Sequence, residues 1–147
     1  MGATAGDLLA RDVCLSWLDS AGWSHDVALA EPFGSGVDWR TAEPETYELV
    51  IFVCGPFGNG WPVTEFLERF ASSKLVGLDL SMLQDLDEWN PFDLLIERDS
   101  SRISRPDIAF LAEARAVPLV GVVLVHPQTE YDGGMHDRAN AAIDRLV

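Results

Sequence analysis

Arg98 and Asp99 stand side by side directly after the apolar run FDLLIE (Phe92–Glu97). A guanidinium at the tip of a strand can fork two hydrogen bonds onto a carboxylate or a phosphate. The alternative is a surface ion pair with Asp99 or Asp93, worth about 0–1 kcal/mol. A second candidate is Gly55-Pro56-Phe57-Gly58-Asn59-Gly60, which separates the apolar run YELVIFVC (Tyr47–Cys54) from the helical pattern PVTEFLERF. Glycines let the backbone turn sharply and approach a ligand closely. The helix start behind them offers free N–H groups and a partial positive charge, which suits an anion. The stretch carries neither a G-x-G-x-x-G fingerprint nor a P-loop with its lysine, so by itself it also reads as a tight, closely packed turn. A third stretch, GATAGD (Gly2–Asp7), opens a helix in the same style. Cys54 ends a strand, where a nucleophilic thiol can sit, yet no histidine stands near it in sequence.

These residues need a scaffold, and the hydrophobic pattern supplies one. Asp7 is placed to cap a helix running to about Ala21, with Leu8, Leu9, Cys14, Leu15, Trp17 and Leu18 on its apolar face and Gly22 as its stop. HDVALA (His25–Ala30) is a short strand candidate, and residues 31–46 read as loop. Tyr47–Cys54 is an apolar run bounded by turn residues, as in a strand buried on both faces. In the helix that follows, Pro62 suits the first turn and Val63, Phe66, Leu67 and Phe70 share a face. KLVGLDL (Lys74–Leu80) is the next strand, MLQDLDEW a short amphipathic helix and FDLLIE a strand. PLVGVVLV (Pro118–Val125) is the longest strand and HDRANAAIDRLV a closing helix. Strands alternating with helices predict an α/β fold, a Rossmann-like parallel sheet with flanking helices. In such sheets ligands bind outside the carboxyl ends of the strands.

Composition narrows the chemistry. The chain has 147 residues, 48% of them hydrophobic and 23% charged, as in one globular domain. Ten Lys+Arg against 24 Asp+Glu, a net charge of -14, leave no basic stripe for nucleic acid. No apolar run approaches the roughly 18 residues of a membrane span, and no secretion signal opens the chain. Cys14 and Cys54 read as reduced thiols of a cytoplasmic protein. His25, His126 and His136 have no metal-ligand spacing, so no metal is expected.

The landmarks, in their order, resemble the polysaccharide pyruvyl transferase family. GATAGD matches a glycine loop ending in Gly6-Asp7. LVIFVCGPFGNG matches an apolar strand running into a glycine-rich loop. VGLDLSM matches a further strand more loosely, IERD matches a strand ending in Val-Arg-Asp, and PDIAF (Pro106–Phe110) matches an Asp-Pro-Ala-Phe-like segment. The resemblance implies one half of a two-domain, glycosyltransferase-B-like architecture. It implies transfer of a pyruvyl group from phosphoenolpyruvate onto a sugar or glycan acceptor, forming a ketal, with no further cofactor. It puts Arg98 in the catalytic role and Gly6, Asp7, Gly55, Gly58, Asn59, Gly60 and Asp99 in substrate binding. It divides the chain into a Rossmann-like domain over 1–117 and, over 118–147, the start of a second such domain or an added strand–helix unit. It also departs from this sequence: no strand stands before Gly2, the segment from Asp99 to PDIAF is short, and the family's His- and Lys-bearing C-terminal motifs have no counterpart. The chain thus reads as the N-terminal half of such an enzyme, trimmed at both ends and inactive as this piece. An unpaired strand edge predicts self-association. Two other readings stand beside this one. The first is a non-catalytic Rossmann-like module for an anionic small molecule or a partner chain. The second is a flavodoxin-like hydrolase using Cys54.

Overall fold

The computed structural model describes residues 4–28 and 36–113, with 134, 137–138, 141–142 and 145. Two compact units divide the chain, Met1–Ala112 and Glu113–Val147, and the first carries every element discussed below. The strand expected over Pro118–Val125, together with His126 and His136, lies outside the described residues, as does Gly2.

α1 spans Ala5–Ser20. Its cap is Thr4 rather than Asp7. The Thr4 hydroxyl accepts from the Asp7 amide and the Asp7 carboxylate accepts from the Thr4 amide, a reciprocal capping box. Gly6 and Asp7 therefore belong to the first helical turn and not to a loop. Gly22, at φ 74°, turns the chain away after the helix. The buried face is Ala10, Val13 and Cys14, while Leu9 and Trp17, expected on the apolar face, are exposed. HDVALA forms no strand in its described part, where Ala28 makes a single bridge to Val37.

β1 (Leu49–Phe57), β2 (Lys74–Met82) and β3 (Leu94–Ile96) form a parallel sheet in that order. β1 runs further than its apolar stretch, because Gly55, Pro56 and Phe57 pair with Leu80, Ser81 and Met82. The glycine loop accordingly starts at Gly58. β1 is the outermost strand of the described sheet, a position that tolerates a proline. α2 (Val63–Arg69) follows the loop, with Pro62 at its cap. The helix expected over MLQDLDEW is a turn instead. Asp85 accepts the amides of Glu88 and Trp89 on its carbonyl and that of Asp87 on its side chain, a local arrangement that competes with helix. Trp89 then stacks on Phe57, ring centroids 5.6 Å apart. β3 is shorter than Phe92–Glu97 because Phe92 turns into the core and the Asp93 carboxylate accepts from the Leu75 amide at 2.7 Å.

The core lies on the face that carries α2. Phe57, Leu75, Leu80, Met82 and Phe92 are buried there, with Val50, Phe52, Val63 and Leu67 against them. Phe52 packs edge-on against Phe57, Phe66 and Phe92, and its strand partner is Gly77. A Cβ on Gly77 would sit 2.7 Å from Leu95, 2.9 Å from Leu80 and 3.0 Å from Phe92. The glycine makes room for these side chains. Gly77→Val should destabilise the protein by about 1–3 kcal/mol through overpacking, read as a lower urea midpoint. An unchanged midpoint would show that the core relaxes around the added methyls.

Candidate functional site

The in–out alternation of both long strands breaks at one level. In β2 the core-facing residues run Leu75 and Gly77, then Leu80 and Met82. In β1 they run Val50 and Phe52, then Phe57. The break falls at Asp79 (φ 60°) and Cys54 (φ 53°), both with left-handed backbone. They face each other in the gap between the pairs Val53–Leu78 and Gly55–Leu80. Such backbone costs about 1–3 kcal/mol at a residue with a side chain and persists only where the surroundings enforce it. It re-aims the side chains near the carboxyl ends of the strands, as bulges do.

Asp79 is 3% exposed. One carboxyl oxygen accepts from the Ile108 amide at 3.3 Å. The other is buried with no hydrogen-bond donor of the protein on it. Burial, and then the negative charge of Asp107, push the Asp79 pKa up to about 6. Below about pH 6 a proton on Asp79 relieves both the burial of its charge and the repulsion from Asp107. Cys54 donates its thiol to the Asp7 carboxylate at 3.2 Å. Burial and the adjacent Asp7 push the thiol far up, so it stays protonated. His25, for its part, contacts the Trp23 carbonyl and Asp19. A thiolate nucleophile is therefore not what this environment produces.

Arg98 ties the cluster together from the end of β3. Its Nε donates to Asp99 at 2.8 Å, Nη1 to Asp107 at 2.9 Å and Nη2 to the Ser81 hydroxyl. The side chain is 14% exposed, so this is no surface pair. Burial works to raise the Asp99 pKa, but the hydrogen bonds from Arg98 and Ser104 hold it below the usual carboxylate range. Arg102 and Arg105 do not join Arg98. Arg102 pairs with Asp87, and Arg105 with Glu97.

Four of the sequence candidates thus meet at the carboxyl ends of the strands. Asp7 bonds to Cys54, a Cβ on Gly55 would lie 3.8 Å from the Asp7 carboxylate, and Arg98 and Asp99 join through Ser81 of β2. The others lie elsewhere. Gly6 is in the first turn of α1. Gly58, Asn59 and Gly60 follow Phe57, where the Asn59 amide donates to the Gln84 side chain and a Cβ on Gly58 would touch Leu83. Asp79, Ser81 and Asp107 escaped the sequence reading. Asp79 alone left a signal, an acid inside the apolar stretch LVGLDLSM. Among the described residues, no group of His, Cys, Asp or Glu is arranged to hold a metal ion, and no helix is long and apolar enough to cross a membrane. Comparison of the chain with protein-family models, curated proteins and solved structures finds no match.

The raised Asp79 pKa has a defined consequence for stability. Between about pH 4 and pH 6 the folded chain binds more protons here than the unfolded chain, so this group makes stability fall as pH rises through that window. Asp79→Asn should remove that slope and leave the protein about 1–3 kcal/mol more stable at pH 7 than the wild type. Urea titrations at pH 4 and pH 7 check this, and parallel pH profiles for the two proteins would refute it.

Proposed function

We propose that this chain is a Rossmann-like half of a polysaccharide pyruvyl transferase-like enzyme, and that its carboxyl-edge cluster holds the sugar acceptor. The reading rests on one observation. Three stretches far apart in sequence, GATAGD, LVIFVCGPFGNG and IERD, bring Asp7, Cys54, Gly55, Arg98 and Asp99 to the same end of the sheet. The assignment of sugar rather than phosphoenolpyruvate to this end follows from charge. Asp79, Asp99 and Asp107 gather at the Arg98 guanidinium, whose Nε and Nη1 already donate to Asp99 and Asp107, and Asp7 adds a fourth carboxylate beside Cys54. A phosphate with a carboxylate meets repulsion here. Carboxylates accept hydrogen bonds from sugar hydroxyls. Arg98 on this reading is a positioning residue that keeps Asp99 and Asp107 in place, and the donor is bound elsewhere in the complete enzyme.

Amide spectra of the protein titrated with neutral mono- and disaccharides, and separately with phosphoenolpyruvate, test it. Sugars should shift the resonances of Gly55, Ser81 and Asp99, and phosphoenolpyruvate should not. Arg98→Lys keeps the charge but loses the fork, and should weaken the sugar response about tenfold. Phosphoenolpyruvate binding at these residues without any sugar response would reverse the assignment, and silence towards both would remove the function.

A further inference from the structure

β1 is paired by β2 on one side. The Lys74 amide donates to the Glu48 carbonyl, and in a parallel ladder alternate residues bond to alternate sides. The N–H and C=O groups of Leu49, Ile51 and Val53 therefore point away from β2. On that side lies a cavity of about 830 Å³. Leu8, Leu15 and Leu18 of α1 line one part of it, and Trp39 and Phe66 another. The stretch Ser24–Ala28 lines it too. Its charged lining is mixed, with Asp7, Asp26 and Glu48 beside Arg11 and His25. Glu48 and Asp26 stand at the end where β1 begins, with Asp26 tied to the Tyr47 hydroxyl at 2.9 Å.

We propose that this cavity is the seat of one more parallel β-strand, an extended apolar segment of about five residues with a basic amino end, supplied by a partner polypeptide. Three features select this occupant. A small apolar molecule would fill the volume but leave the backbone groups of Leu49, Ile51 and Val53 without partners among the described residues, whereas a strand satisfies them all. Apolar side chains on both flanks call for a segment that is apolar at every position rather than alternately. The parallel direction places the incoming amino end beside Glu48 and Asp26, which complements a lysine or arginine there. A second copy of this chain fits less well, because its own β1 edge lies beneath its own α1.

The test uses the whole chain and a synthetic peptide of about eight residues, two lysines followed by valines and isoleucines. Hydrogen exchange is followed amide by amide. The peptide should slow exchange at Leu49, Ile51 and Val53 about tenfold or more. A peptide with proline at every second position, which lacks those donors, should not. Ile51→Pro removes one outward donor and leaves the bonds to β2, so it should weaken peptide binding about threefold to tenfold. If that variant does not fold, exchange in the wild type decides alone. The proposal is overturned by unchanged exchange, by equal protection from the proline peptide, or by protection that grows with protein concentration without peptide. The last result would assign the edge to a second copy.

Discussion

The Arg98 guanidinium is the contact on which the carboxyl end of the sheet depends. It reaches Asp99 beside it, Ser81 on β2 and Asp107, which caps the 3-10 turn Ile108–Leu111. The backbone follows the same route: the Arg98 amide donates to the Leu80 carbonyl, the Met82 amide to the Asp99 carbonyl and the Arg105 amide to the Arg98 carbonyl. Without this cation, Asp79, Asp99 and Asp107 would gather in a part-buried place with nothing to balance them. The Arg98 guanidinium offsets part of this negative charge, and below about pH 6 a proton on Asp79 removes more of it.

That balance explains how the strained backbone at Cys54 and Asp79 can persist. Each side chain is held from outside its own strand, Cys54 by Asp7 of α1 and Asp79 by the Ile108 amide. α1 and the turn at Ile108–Leu111 also pack on each other. The left-handed pair is thus fixed by two segments that meet above the sheet. In exchange, Leu80, Met82 and Phe57 are turned into the core beyond the break. Packing and site geometry are products of the same backbone feature.

Much of the framework was legible in the residues. The three parallel strands came from apolar runs bounded by turn residues, α1 from its periodicity and Gly22, and α2 from Pro62 and the spacing of Val63, Phe66 and Leu67. The errors have local causes. Aspartate is a good cap, which favours Asp7, but Thr4 three residues earlier completes a reciprocal pair with it. MLQDLDEW has the spacing of a helix, yet Asp85 folds the chain on itself and Trp89 finds a better partner in Phe57.

By itself the sequence determined the parallel α/β class and the order of its described elements, because periodicity and turn residues act within a few positions of each other. It also marked Arg98, Asp99, Asp7 and Gly55 as worth attention. It did not determine what Arg98 does. A guanidinium after an apolar strand is equally suited to an incoming anion and to the chain's own carboxylates, and the choice fell to Asp107, nine residues away and brought near only by the fold. Nor could it show the raised pKa of Asp79. An aspartate becomes an acid of raised pKa only when burial and a second carboxylate reach it together, and both arrive through contacts between segments that the linear order keeps apart.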